Sequence, residues 1–209
     1  RDRDVTGVQT CALPIYHIVP VPMIPQDAPD AREAWDAGED ALRAGRVGIF
    51  LVAGGQGTRL GFDGPKGTYP IGPLTGKTLF AYHAEKIQNL RRRYDCTLPW
   101  YIMVSETNGP ATRAYFRTNG WFGLGEENVR FIVQRMIPCM DAHGKFMLEA
   151  PGRLAMNPNG HGGCIPAMVE NDVTRDARER GVDLLSYFQV DNWRSEEHTS
   201  ELQSHHDLV

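Results

Sequence analysis

Four short runs of the chain are apolar almost without interruption: Val47–Ala53 (VGIFLVA), Pro99–Ser105 (PWYIMVS), Asn128–Gln134 (NVRFIVQ) and Asp183–Val190 (DLLSYFQV). Runs of strand length that do not alternate suit parallel strands covered on both faces. Between them lie stretches with helical spacing. Asp30–Arg46 sets Ala34, Ala41 and Leu42 among charges. Thr78–Tyr94 brings Leu79, His83, Ile87, Leu90 and Tyr94 onto one face, with Thr78 as a plausible N-cap. Gly109–Gly120 reads as a helix ended by its glycine, and Ile165–Gly181 as a single helix stopped by Gly181. Val21–Ala31, rich in proline, reads as an extended lead-in. Strands alternating with helices predict an α/β fold, a doubly wound, Rossmann-like, mainly parallel sheet with right-handed crossovers. Ligands of such sheets sit beyond the carboxyl ends of the strands. The loop after Ala53, Gln134 and Asp191 are expected there. The chain has no internal repeat and no low-complexity segment.

Composition adds exclusions. The net charge of -4 offers no basic excess for nucleic acid. No apolar run is long enough to span a membrane. Nothing specifies an oligomer. The ends are expected to be foreign. Val5–Ile15 (VTGVQTCALPI) and Arg194–Ser204 (RSEEHTSELQS) resemble translated sequencing-adapter DNA, and opposite strands of one oligonucleotide can encode the two peptides. Residues 1–15 and 194–209 are therefore set aside as adapter-derived. Residues 16–193 are left as a partial nucleotide-binding catalytic domain, truncated at both ends. Cys96, Cys139 and Cys164 then remain, odd in number and widely spaced. They favour reduced thiols and a cytoplasmic setting.

Candidate chemistry concentrates after the first strand, in LVAGGQGTRLGFDGPKGTYP from Leu51. Bare backbone beside Arg59 and Lys66 points to phosphate. The dinucleotide fingerprint fails, because Leu60 stands where the third glycine belongs. Gly72–Thr78 (GPLTGKT) has one residue too few for a P-loop and reads as a turn into a helix. The segment LVAGGQGTRLGFDGPKG closely resembles the signature loop of UTP-dependent nucleotide-sugar pyrophosphorylases. That family includes UDP-N-acetylglucosamine pyrophosphorylase and UTP–glucose-1-phosphate uridylyltransferase types. The likeness continues in order through KTLFAYHAEKI, PWYIMVS, FGLGEENVRFIVQRMIPCM, NPNGHGG and YFQVDN, over nearly all of residues 16–193.

The resemblance implies the nucleotide-diphospho-sugar transferase type of fold. It also implies a reaction in which UTP and a sugar 1-phosphate give a UDP-sugar and pyrophosphate with Mg²⁺. Partners would be those two substrates, with no nucleic acid and no membrane. Two polyanions must then be brought together, so positioning and charge neutralisation carry the chemistry. By resemblance, Ala53, Gly54 and Gly55 lie against the uridine end. Gly57, Thr58 and Arg59 serve the outer phosphates, with Arg59 and Lys66 in catalytic roles and Lys66 reaching the α-phosphate. Gln134 and Gly160 flank the uracil, and Asp191 holds the metal. His161 stands where acetylglucosamine enzymes usually carry asparagine and glucose enzymes often carry histidine. N-acetylglucosamine 1-phosphate is favoured, glucose 1-phosphate is the alternative, and a non-catalytic nucleotide-binding module is the reading of another class. The residues 16–193 alone are expected not to turn over.

Overall fold

A computed structural model describes Pro25 and residues 28–192. The adapter expectation for the two flanks and most of the Val21–Ala31 lead-in lie outside the described residues. The chain divides into two compact units, Arg1–Gly38 with Met136–Asn157, and Glu39–Arg135 with Pro158–Val209. Helix α1 (Ala31–Arg43) runs through the boundary between them in sequence.

In the first unit, Arg32 and Asp36 pair one turn apart on α1 at 3.0 Å. Short strands β4 (Met136–Pro138) and β7 (Met156–Pro158) form a two-stranded sheet. Between them β5 (Leu148–Ala150) and β6 (Arg153–Leu154) pair as an antiparallel hairpin.

The second unit is built on β1 (Val47–Val52), β2 (Trp100–Val104), β3 (Val129–Val133) and β8 (Leu184–Gln189). They lie in the order β3-β2-β1-β8, and each pair is parallel. Side chains alternate across the sheet. Ile49, Leu51, Trp100, Ile102 and Val104 enter one core with Leu79, Phe80, Ala84 and Ile87 of α2 (Leu79–Tyr94) and Phe116 of α3 (Gly109–Thr118). Phe50, Tyr101, Met103 and Ile132 enter the other, with Cys164 and Ala167 of α4 (Cys164–Glu170) and Val173 and Ala177 of α5 (Val173–Glu179). Helices thus cover both faces, which is why the strands are apolar throughout. Thr78 caps α2 as expected, its side chain accepting from the Ala81 amide at 3.3 Å. Among the described residues, no helix is long and apolar enough to cross a membrane.

The single helix expected over 165–181 is a correction. It is two helices, broken at Asn171–Asp172. The Asn171 side-chain Nδ2 donates back to the Ala167 carbonyl at 2.8 Å, and Asp172 sits at φ 57°. Asn and Asp side chains bond nearby backbone and tolerate the left-handed region, so an adjacent pair competes with the helical ladder.

The strand order fixes where a ligand can sit. The chain steps outward from β1 to β2 and β3, then returns to the other side of β1 with β8. The order reverses between β1 and β8, and their carboxyl ends open a crevice there.

Candidate functional site

Three strand ends build the crevice. Beyond β1, the Ala53 amide still donates to Met103 at 2.7 Å, and beyond β3 the Gln134 amide donates to Val104 at 2.9 Å. Gly54 leaves the sheet against the Gln134 side chain. A Cβ at Gly54 would stand 2.3 Å from Gln134 Nε2, so any larger residue would push the glutamine amide out of this position. Gln134 is 3% exposed, and its Oε1 has no hydrogen-bond partner among the described residues. An unpaired buried carbonyl is costly, and such a group calls for an explanation. The amide offers an acceptor and a donor side by side.

The rest of the glycine loop folds back on itself. Gln56 and Pro65 form an antiparallel bridge, the Gly57 amide donates to Gly64 at 2.9 Å, and the Lys66 amide donates to Gly55 at 3.1 Å. Thr58 is exposed at the tip, in the short turn Thr58–Leu60. Arg59 belongs to that turn, and its side chain lies outside what the structure describes. The return strand brings Lys66 back beside the sheet, where a turn over Lys66–Thr68 holds it. Gly67 there lies flat on the Phe80 ring of α2; an added Cβ would meet ring carbons at 2.2 Å.

Lys66 Nζ reaches Asp191 Oδ2 at 3.0 Å, with the lysine side chain 28% exposed and the aspartate 51%. The loop after β1 and the end of β8 therefore meet directly. Asp191 is held from behind: the Val190 amide donates to Val52 at 3.0 Å, and the Val190 carbonyl is 2.9 Å from His83 Nε2. His83 is fully buried, and burial pushes its pKa down to about 4, against the raising effect of the Val190 hydrogen bond. The ring is thus neutral, and Nε2 carries the proton donated to Val190.

Gly160 and His161 approach along a different segment. The Asn159 amide donates to the Arg135 carbonyl at 3.0 Å, tying this segment to the residue after Gln134. Gly160 adopts φ 66° and ψ -156°, a region open to glycine alone, and space is free around it. His161 is exposed, and its Nδ1 hydrogen-bonds the Tyr187 hydroxyl of β8. That hydroxyl is 3.5 Å from Cys164 Sγ. Burial and the Cys164 contact raise the tyrosine's pKa above its ordinary value.

Sequence reasoning missed Asn108, His83's contact to Val190, and Tyr187. The pattern Ser105-Glu-Thr-Asn108 after β2 was the available signal, because asparagine side chains form turns at such strand ends. Elsewhere, a hollow of about 500 Å³ is lined by Gln88, Arg91, Arg92, Asp95 and Cys96. It lies near the residues that lead into β2, at the opposite edge of the sheet, and contains none of the candidate residues.

A family model described as UTP--glucose-1-phosphate uridylyltransferase matches residues 19–201. The UDP-N-acetylglucosamine pyrophosphorylase of Saccharomyces cerevisiae is 40% identical over 164 residues, covering 77% of this chain and 34% of its own length. The UDP-N-acetylglucosamine diphosphorylase 2 of Arabidopsis thaliana is 35% identical over 197 residues, covering 86% of this chain and 39% of its own. Among solved structures, the Trypanosoma brucei uridine diphosphate N-acetylglucosamine pyrophosphorylase in complex with an inhibitor aligns with a TM-score of 0.72 at 28% identity. That alignment covers 78% of this chain and 36% of the other. This chain thus spans less than two fifths of the length of these relatives.

Proposed function

Because the chain belongs to the UTP–glucose-1-phosphate uridylyltransferase family, we propose that it forms the nucleotide-binding part of a uridylyltransferase. The enzyme would join UTP and a hexose 1-phosphate into a UDP-sugar and pyrophosphate. The observation that carries this reading is that Gly54 abuts Gln134 and Lys66 meets Asp191, both beyond the carboxyl ends of one parallel sheet. N-acetylglucosamine 1-phosphate is the favoured acceptor, since both relatives above are named for that sugar. His161, held by Tyr187, favours glucose 1-phosphate as the second reading.

The roles follow from the chemistry of the side chains. The uracil imide N–H donates to Gln134 Oε1, and the glutamine amide donates to a uracil carbonyl. Gly54, Gly55 and Gly160 admit the base and ribose where side chains would intrude. Gly57, Thr58 and Arg59 receive the outer phosphates. Lys66 leaves Asp191 for the α-phosphate, where it offsets the charge that grows as the sugar phosphate attacks and pyrophosphate departs. Magnesium fits these residues. Among the described residues no cluster of three metal-ligating side chains exists, and Mg²⁺ commonly takes one or two carboxylates plus substrate phosphates and water. Asp191 supplies one half-exposed hard oxygen, so it would hold the ion with the triphosphate, and the ion would neutralise phosphate charge. Unpaired Cys96, Cys139 and Cys164 support a reducing, cytoplasmic setting.

The test has two parts. Calorimetry on the 209-residue chain with magnesium should detect UTP and not ATP; equal binding of both would remove the uridine assignment. A fusion of residues 16–193 to the remainder of the yeast relative should release pyrophosphate only when sugar 1-phosphate is present. UTP binding without turnover in that fusion would favour the non-catalytic module.

A further inference from the structure

Asn108 follows β2, is 1% exposed, and belongs to none of the roles above. Its backbone amide donates to Ser105 Oγ at 3.2 Å, and its Oδ1 accepts from the Ser105 amide at 2.9 Å. This closed turn fixes the side chain, so that Nδ2 donates to two carbonyls of the glycine loop, Ala53 at 2.9 Å and Gly55 at 3.1 Å. Those carbonyls flank Gly54, the residue on which the Gln134 amide lies. We propose that Asn108 is a positioning residue for base recognition: it grips the backbone on both sides of Gly54 and so keeps the Gln134 carbonyl turned toward a pyrimidine imide. This rests on the uridine-nucleotide reading.

With Asn108 in place, both carbonyls are satisfied and the Gln134 amide has no call on them. Without it, the Ala53 carbonyl loses its side-chain donor and the Gly55 carbonyl keeps only the Lys66 amide, so the backbone on which the Gln134 amide rests is free to shift and the glutamine to turn over. A rotated glutamine offers its N–H₂ where the carbonyl was, which suits the ring N3 acceptor of cytosine and rejects the N3–H of uracil. Asn108 therefore acts mainly on base choice, and reaches the phosphate residues only through the Gly55 carbonyl it shares with the Lys66 amide.

The experiment is a calorimetric titration of the 209-residue chain with UTP, CTP and inorganic tripolyphosphate, each with magnesium. Asn108→Ser keeps an acceptor for the local turn but loses the reach to the loop. Asn108→Asp keeps size and Oδ1 but loses the donors. In both, the UTP-over-CTP preference should fall by about tenfold, as expected when buried acceptors lose their donor. In Asn108→Ser, tripolyphosphate affinity should fall by less than UTP affinity, because the Lys66 amide still holds the Gly55 carbonyl. Should neither variant fold, the unaltered chain still decides. Its Asn108 side-chain amide resonances should shift on adding UTP and stay in place with tripolyphosphate. Retained UTP-over-CTP preference in the variants, or resonances unmoved by UTP, overturns the role of Asn108 alone. An unaltered chain with no UTP-over-CTP preference overturns the uridine reading and this inference together.

Discussion

At the scale of single residues, Lys66 and His83 behave in opposite ways. Lys66 is partly exposed and already paired with Asp191. Its contribution should appear in the reaction, since a contact that strengthens as charge develops changes kcat more than binding. In the yeast fusion, Lys66→Ala should lower kcat by about a hundredfold or more, the usual effect of losing a preorganised donor. Its affinity for UTP should change far less. Near-normal kcat would remove Lys66 from the machinery. His83 is buried and neutral, with its pKa moved from 6.5 to about 4. The unfolded chain then binds a proton that the folded chain refuses. Stability is complete above pH 6.5 and declines as pH falls toward 4, by about 3 kcal/mol in all. Unfolding midpoints measured between pH 7 and pH 4.5 should show this slope, and His83→Gln should flatten it. A slope of equal size in the variant would assign it to other groups. The sequence placed His83 on the buried face of its helix, but nothing local could tell that its ring bonds the Val190 carbonyl 107 positions away.

At the scale of elements, the strands were legible because both faces of the sheet are covered, and their apolar runs announce it. The cap at Thr78 and the turn before it were legible because they depend on adjacent residues. The break at Asn171–Asp172 was not read, although asparagine and aspartate were in plain view, because the apolar spacing continues on either side. The β4–β7 and β5–β6 pairs were not read either. The segment from Met136 has no clean alternation, and its large apolar side chains such as Phe146 and Leu148 are more than half exposed. The convergence of the glycine loop, Gln134 and Asp191 followed from the rule for parallel sheets. Asn108 did not, since its importance lies in two carbonyls that only the folded loop brings to it. The turn that carries Lys66 depends on Gly67 meeting the Phe80 ring. Gly67→Ala should destabilise the chain by about 1–3 kcal/mol through overpacking. It should also shift Lys66 away from Asp191. Chemical denaturation measures the first effect, and an unchanged midpoint would mean that α2 yields more easily than its packing suggests.

At the scale of the whole molecule, the residues proposed for the nucleotide half of the reaction lie within one compact unit, while the chain covers 34% of the yeast relative. Positioning two reactants in line contributes roughly 7–11 kcal/mol in a complete site. Residues 16–193 by themselves are therefore expected to bind UTP and to release no pyrophosphate with either sugar 1-phosphate. Sugar-dependent release from that segment would show that the remaining length of the relatives is dispensable. The most direct test of the central claim is a crystal structure of the 209-residue chain with UTP and Mn²⁺ in place of Mg²⁺. The base should lie against Gly54 with its imide at Gln134 Oε1, with phosphate density at Lys66 and an anomalous manganese peak beside Asp191. Nucleotide density elsewhere, such as the hollow lined by Arg91 and Arg92, with Lys66 still paired to Asp191, would contradict it.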